Sequence, residues 1–517
     1  MKRTLTFLAL LLAATFAFGQ QDDPNSRRNL LLGGFSGSYG RDLRREVLVD
    51  LVGIHRFNVY EESVYDNLPR DTRQKIQLHG VITGQVKNVK TERKTWETKA
   101  SDGTVKRESK WETELEWTLT ITDPQTREVL RSENFSNFGE HPTDRSKSEA
   151  DAVSGLGSKV IYLFENYYPV RTTVLTIDES NKGKAKGVTI AVGGSSSVYK
   201  GMEMTVYVQD GGRWNSIGEL KIKEINSATQ SSCSVEKGGK EILTAFEEGR
   251  EMRAVSHAVS TLKSIFSRKK MAPRLEEFNV ADNTKRNIVL GTFTSGMGYA
   301  QPLYDQVAGN ISHSSRANIY SMKDYNSWDN DRRASVHGIL SGYIYFFDVT
   351  SERLENYKKE TYTEWKATLR WLVYVVDPVT GEQKYQGFRS GEATSDESRD
   401  KAVEKAIERA SSGMDYFLYQ SYPIGGTILT LDEADKKKAK RVTVDLGEDA
   451  AIYTGLQFAV FAEDATSEWE YIGRVEVTDA SDKAKPQCKV TDGGAEIKKA
   501  LEEGSANRIV SFKEVTF

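Results

Sequence analysis

The chain is 517 residues long, 38% hydrophobic and 28% charged, and its 71 Lys and Arg against 74 Asp and Glu give a formal net charge of −3. A field that weak does not favour nucleic acid as a partner. No stretch beyond the first residues is apolar over the roughly 20 positions that a membrane-spanning helix needs, and the length suits several domains of ordinary size.

Residues 1–19 read as an export signal. Lys2 and Arg3 precede an uncharged apolar run from Leu5 to Phe18, and Ala17 and Gly19 put small residues at the two sites a signal peptidase inspects, so cleavage is expected after Gly19. No cysteine follows the run, so no lipid anchor is expected on the mature N-terminus. The mature protein should be soluble and exported: periplasmic, associated with the outer membrane, or secreted.

The mature sequence is written twice. Asn29-Leu30-Leu31-Leu32-Gly33-Gly34-Phe35 answers to Asn287-Ile288-Val289-Leu290-Gly291-Thr292-Phe293, and His79-Gly80 to His337-Gly338. Trp117, Asp123-Pro124, Pro169, Tyr199, Trp214 and Cys233 answer to Trp371, Asp377-Pro378, Pro423, Tyr453, Trp469 and Cys488. The partners lie about 254 to 260 residues apart, with the changes of offset in predicted loops, as two tandem copies of one fold would give. The copies differ most in charge, which points to different contacts for their surfaces.

Within a copy the order of elements is readable. Leu43, Val47, Leu51 and Ile54 recur at helical spacing before Phe57-Asn58-Val59-Tyr60, a strand. The second copy keeps Asn318-Ile319-Tyr320 but carries Gly309 in the preceding segment, which weakens the helix there. Leu78 to Lys90 predicts a strand, and Trp111, Thr113, Leu115, Trp117, Leu119 and Ile121 alternate with Glu112, Glu114, Glu116 and Thr118, a long strand with one buried face. The charged stretch from Lys90 to Lys110 centres on Asp102-Gly103, a turn signal, so a protruding charged hairpin is expected. Asp-Pro then leads into a short strand and a helix; in the second copy Thr394 to Glu397 predicts a capping box and Val403, Ile407, Ala410, Met414 and Phe417 one apolar face. Beyond Pro169 and Pro423, short segments such as Gly187 to Ile190, Tyr199 to Val206 and Ile217 to Leu220, with regular glycines, predict a small β-barrel or sandwich. Residues 256–285 predict a basic helical connector.

The expected fold is therefore α+β: two tandem copies of an α/β three-layer-like unit with a long β-hairpin (27–170 and 286–424), each followed by a small β-barrel or sandwich (171–255 and 425–517). Each copy should fold by itself.

This order of elements, with Phe57-Asn58-Val59-Tyr60-Glu61 and then Lys184, Lys186, Val188, Tyr199 and Gly201, or Lys438, Lys440, Val442, Val444, Tyr453 and Gly455, resembles the module of the curli-secretion (CsgG-like) family. The unit containing Gly193, Gly201 and Gly218, or Gly447, Gly455 and Gly473, is similar to the small C-terminal β domain of the flagellar-assembly protein FlgT. The resemblance covers most of both copies and implies non-enzymatic envelope proteins: export channels, lipoproteins that activate peptidoglycan synthases, and basal-body components. The chain departs from it in lacking an acylated cysteine, in carrying two modules, and in its hairpin. Lys90, Glu92 and Lys94 with their alternates Thr91, Arg93 and Thr95 leave neither face apolar over the roughly 9 to 11 residues of a membrane-spanning strand, so a channel wall is not expected.

Candidate chemistry is thin. His79 and His337 have no second His or Cys at ligand spacing and are expected to be structural. Glu112, Glu114 and Glu116 share a strand face that reads as solvated, Asp178 to Gly183 reads as a turn, and the paired tryptophans read as core. Cys233 and Cys488 are expected to be buried thiols, with a bridge between the copies as the alternative. No catalytic residue, cofactor or metal is expected. The candidate partner-binding residues are Lys90, Arg93, Lys94, Lys106, Arg107 and Lys110 of the hairpin. Together these features predict an exported, non-catalytic assembly or scaffold protein of a Gram-negative cell envelope that contacts another envelope protein, with homo-oligomers open. The alternatives are a binding regulator of a cell-wall synthesis enzyme and a divergent hydrolase.

Overall fold

The computed structural model describes residues 27–53, 56–99, 105–155, 157–193, 198–210, 213–227, 229–257, 280, 282–355, 359–463 and 469–512. The expected signal peptide, most of the expected connector, Ile54 of the expected first helix and the Asp102-Gly103 turn lie outside the described residues. The chain divides into two compact units, Met1–Arg28 with Ile161–Leu262 and Asn29–Val160 with Lys263–Phe517.

The first copy opens with β1 (Arg28–Ser36), α1 (Gly40–Gly53), β2 (Phe57–Glu61) and the short helices α2 (Glu62–Asp66) and α3 (Arg70–Lys75). Three long strands come next, β3 (Gly80–Lys99), β4 (Val105–Thr122) and β5 (Val129–His141), in a sheet of order β2-β1-β3-β4-β5, and then α4 (Arg145–Ser154) and α5 (Gly157–Tyr167). β1 runs parallel to β3, and the hairpin strands are antiparallel. The apolar stripe of α1 buries Leu43, Val47 and Leu51, and β4 buries Thr113, Leu115, Trp117, Leu119 and Ile121 while Glu114 and Glu116 stay exposed. Trp117 stacks on Phe135 with ring centroids 4.7 Å apart. Gly139 is required by packing: a Cβ there would lie 2.2 Å from Ser148 O of α4.

The next element is a closed six-stranded barrel rather than a sandwich: β6 (Arg171–Asn181), β7 (Lys184–Ile190), β8 (Glu203–Asp210), β9 (Arg213–Ile225), β10 (Ser231–Lys237) and β11 (Met252–His257), with α6 (Gly239–Glu247) packed on it. The regular glycines have a steric reason. Gly238 has φ +72° and a Cβ there would lie 1.8 Å from Ile217 O.

The second copy repeats this order. Its sheet is β13-β12-β14-β15-β16, from β12 (Arg286–Ser295), β13 (Ala317–Ser321), β14 (Gly338–Glu355), β15 (Thr361–Val376) and β16 (Gln383–Ser395). Its helices are α7 (Ala300–Ile311), α8 (Met322–Ser327), α9 (Asn330–Ala334), α10 (Arg399–Ser411) and α11 (Met414–Ser421). Its barrel holds β17 (Gly425–Ala434), β18 (Ala439–Asp445), β19 (Gln457–Glu463), β20 (Trp469–Asp479), β21 (Gln487–Asp492), α12 (Gly494–Glu502) and β22 (Asn507–Ser511). α7 forms as a helix through Gly309, because Leu303, Val307 and Ile311 bury its apolar stripe. Two local expectations are corrected. The cap of α10 is Ser398, whose Oγ accepts from Lys401 N at 3.1 Å, because β16 runs on through Ser395 where a capping box was expected. Gly413, at φ +72°, divides the expected single helix in two.

The two copies share one buried cluster. Tyr60, Leu68 and Ile76 of the first copy lie in one buried cluster with Val289, Tyr325, Val336, Ile339 and Val376 of the second. The edge of β2 is closed by a side chain of β16: Gln386 Oε1 accepts from Val59 N at 3.1 Å and its Nε2 donates to Phe57 O at 2.6 Å. Arg44 donates to Tyr343 Oη at 2.8 Å, and Thr72 Oγ1 to Pro378 O at 3.4 Å. The contact is heterologous, an edge of one copy on a sheet face of the other. Accordingly β2 is buried throughout whereas β13, its counterpart, is half-buried, and Gln383 is buried whereas Val129 at the corresponding position is exposed.

Candidate functional site

All six basic residues singled out from the sequence lie on the hairpin of the first copy. β3 and β4 pair from Val81 with Thr122 to Lys99 with Val105, but β5 joins β4 only from Trp111 inward and β1 joins β3 only as far as Gln85. Among the described residues, Lys94 to Lys99 and Val105 to Lys110 therefore form a two-stranded ribbon that pairs only with itself. Such a ribbon buries no core, and a lone hairpin is marginal in water.

Its charges are met locally. Lys90 Nζ lies 2.8 Å from Glu92, Lys94 Nζ 2.5 Å from Glu112, Lys106 Nζ 3.3 Å from Glu108 and Arg107 Nε 3.7 Å from Glu97. Lys110 bridges Glu112 at 3.0 Å and Glu140 at 2.5 Å. Hydrogen bonds from Lys94 and then Lys110 hold the Glu112 carboxyl below its ordinary range. Arg93 differs: among the described residues it has no carboxylate partner, and its Nη2 donates to Ser109 Oγ at 3.0 Å. The ribbon is thus a mixed-charge surface with one guanidinium available at its base.

A cleft of about 520 Å³ opens there, lined by Arg93, Trp96, Ser109, Lys110, Glu140 and His141. Trp96 is 41% exposed, with Lys110 Nζ 6.0 Å from its ring centroid. The His141 imidazole is oriented by its own turn, Nδ1 accepting from Asp144 N at 2.9 Å. Sequence reasoning missed Trp96, whose one signal is a lone indole in a run of charges. Since Trp365 answers to Trp111, the pairing register places Ser351 where the first copy has Arg93 and Glu364 where it has Lys110, so the second copy does not repeat this surface.

The remaining candidates have structural roles. His79 Nδ1 accepts from Asn29 N at 3.0 Å, and His337 Nδ1 from Asn287 N at 3.0 Å, so each imidazole continues the pairing of two parallel strands. Lys182 (φ 50°) and Gly183 (φ 71°) make the turn between β6 and β7. Trp117 and Trp371 are fully buried, and Trp371 Nε1 donates to Ala410 O at 3.1 Å. Cys233 and Cys488 are free thiols, each in the core of its own barrel, and burial pushes both up to about 12. Among the described residues no group of three or more His, Cys, Asp or Glu is placed to hold a metal, and no helix is long and apolar enough to cross a membrane.

No protein-family model matches the chain, and no curated protein matches it. Among solved structures it is similar to a minor lipoprotein from Acinetobacter baumannii, at 12% identity and a TM-score of 0.18, over 27% of this chain and 94% of that one. It is similar to the PelC dodecamer protein from Paraburkholderia phytofirmans at 10% identity and a TM-score of 0.17, over 28% and 92%. For a lipoprotein from Neisseria meningitidis the values are 12%, 0.16, 22% and 86%. None of the three is described as a curli-secretion or flagellar protein; each likeness spans most of the neighbour and under a third of this chain.

Proposed function

We propose that this chain is an exported, non-catalytic assembly or scaffold protein of a Gram-negative cell envelope, of the curli-secretion type, and that it captures an envelope protein with the hairpin of its first copy. The observation that carries this reading is the free-standing ribbon, whose arms pair only with each other and whose length contributes nothing to a core. The mixed charges of Lys90, Lys94, Lys106, Arg107 and Lys110 with their carboxylates suit a protein surface that interleaves both signs, where charge sets specificity and encounter rate more than affinity.

The test is capture from envelope extracts. Replacing Lys90, Arg93 and Lys94 together with Ser should leave the melting temperature nearly unchanged yet weaken recovery of the partner, most visibly at low salt where screening is least. Equal recovery by the variant at every salt concentration would remove the hairpin from the account. A recovered cell-wall synthase whose activity rises on binding would favour the regulator instead.

A further inference from the structure

Two arginines of the second copy are buried with no carboxylate at ion-pairing distance among the described residues. Arg316 is 0% exposed and Arg286 8%. Arg316 directs its donors to neutral carbonyls: Nε to Tyr422 O at 2.9 Å, Nη1 to Asn283 O at 3.0 Å and Thr284 O at 2.5 Å, and Nη2 to Asp282 O at 3.0 Å. That arrangement explains Arg316 as a tie between the start of the sheet and the end of its last helix. Arg286 is less well served. Its Nη2 donates to Asp282 O at 2.5 Å, and its Nε has no partner among the described residues. Positive potential accumulates here: burial and then Arg286 push Arg316 down to about 10, and burial and then Arg286 lower His337. Buried charges are ordinarily paired, because an uncompensated one is costly.

A cleft of about 340 Å³ lies against these groups, lined by Arg286, His337, Asp377, Thr380, Lys384 and Tyr422 among others. His337 Nδ1 accepts from Asn287 N, so its Nε2 carries the ring proton, a donor with no acceptor among the described residues. Asp377 is turned to its own loop, Oδ1 accepting from Val379 N at 2.8 Å and Thr380 N at 3.1 Å. Lys384 stands beside Glu382 and 3.9 Å from Asp377. We propose that this cleft is an oxyanion site that takes a carboxylate or phosphate group, with Arg286 and the His337 Nε2–H as inner donors and Lys384 at the rim. The anion supplies the contact-distance counter-charge that neither arginine has among the described residues, where the Asp282 carboxyl acts on both only from beyond ion-pairing range, and charge-assisted hydrogen bonds of this kind are the strong ones.

The duplication gives a second line of support. Arg28, Arg56, His79, Asp123, Thr126 and Tyr168 stand in the first copy where Arg286, Arg316, His337, Asp377, Thr380 and Tyr422 stand in the second. The whole set is unchanged between copies whose hairpin surfaces have diverged. Lys384 answers to Leu130, so the rim cation belongs to the second copy alone.

The experiment is calorimetric titration of the full mature chain with sodium phosphate and, separately, sodium acetate, at ionic strength fixed with sodium chloride. The site predicts saturable binding of at least one probe, and which one saturates tells a tetrahedral from a planar ligand. Lys384→Glu should weaken that binding by roughly tenfold or more, the scale of one lost charge-assisted contact, with its melting temperature in chloride unchanged. Arg286→Gln should abolish binding; because that side chain is buried, Lys384→Glu decides the matter if Arg286→Gln fails to fold. No saturable binding of either probe by the wild-type chain, or binding by Lys384→Glu equal to wild type, overturns the proposal.

Discussion

Two tryptophans of the first copy, Trp117 and Trp96, lie on the same hairpin and have opposite environments. Trp117 is enclosed by the sheet and stacked on Phe135, so Trp117→Ala should destabilise the fold by about 3 to 5 kcal/mol in denaturant unfolding. Trp96→Ala should leave unfolding nearly unchanged, because its ring faces the cleft at the ribbon base. A stable Trp117→Ala that fails to bind partner would invert the two faces. Asp50 carries a pH signature. Its Oδ2 is buried without a partner among the described residues, and burial, then the charge of Glu46, push its carboxyl up from 3.8 to about 7. The folded state thus holds the proton that the unfolded chain releases, so its stabilising effect is full below pH 3.8 and is lost as pH rises through about 7. Asp50→Asn should therefore gain stability over wild type as pH rises, by at most about 1.4 kcal/mol per pH unit in that window, and show no gain at pH 3. A pH-independent difference would place the carboxyl in water instead.

Among the elements, the strands were the most legible and the caps the least. Alternation from Trp111 to Ile121 predicts the buried face that β4 shows from Thr113 inward, because period-2 burial is a local property, and turn glycines such as Gly238 mark a backbone that no side chain could share. The start of α10 was misplaced because Thr394 and Ser398 carry the same capping chemistry, and which of them caps depends on where β16 stops pairing. Ser398→Ala should cost about 1 kcal/mol in thermal unfolding, whereas Thr394→Ala should not act through the helix. Of the candidate site, the position of the basic residues on a hairpin could be read from Lys90 to Lys110. Their ion pairs and the Trp96 cleft could not, since both depend on the register of two strands and on where β5 ends.

At the scale of the whole molecule, duplication was plain in the sequence but the docking of the copies was not. It rests on single side chains such as Gln386 and Arg44, whose targets lie in the other copy. A fragment from Asp282 to Phe512 should expose Val289, Ile339, Tyr374 and Val376, bind a hydrophobic dye and melt below the intact chain. A fragment that melts with the intact chain and binds no dye would mean that the shared cluster contributes little. The central claim, that the ribbon of the first copy is the capture surface, is tested most directly by photo-crosslinking in the native envelope. Benzoylphenylalanine would replace Arg107 on the ribbon or, as a comparison, Lys237 on the first barrel, side chains that are 76% and 72% exposed. The account predicts a defined protein adduct from position 107 and none from position 237; an adduct from 237 alone, or from neither, would contradict it.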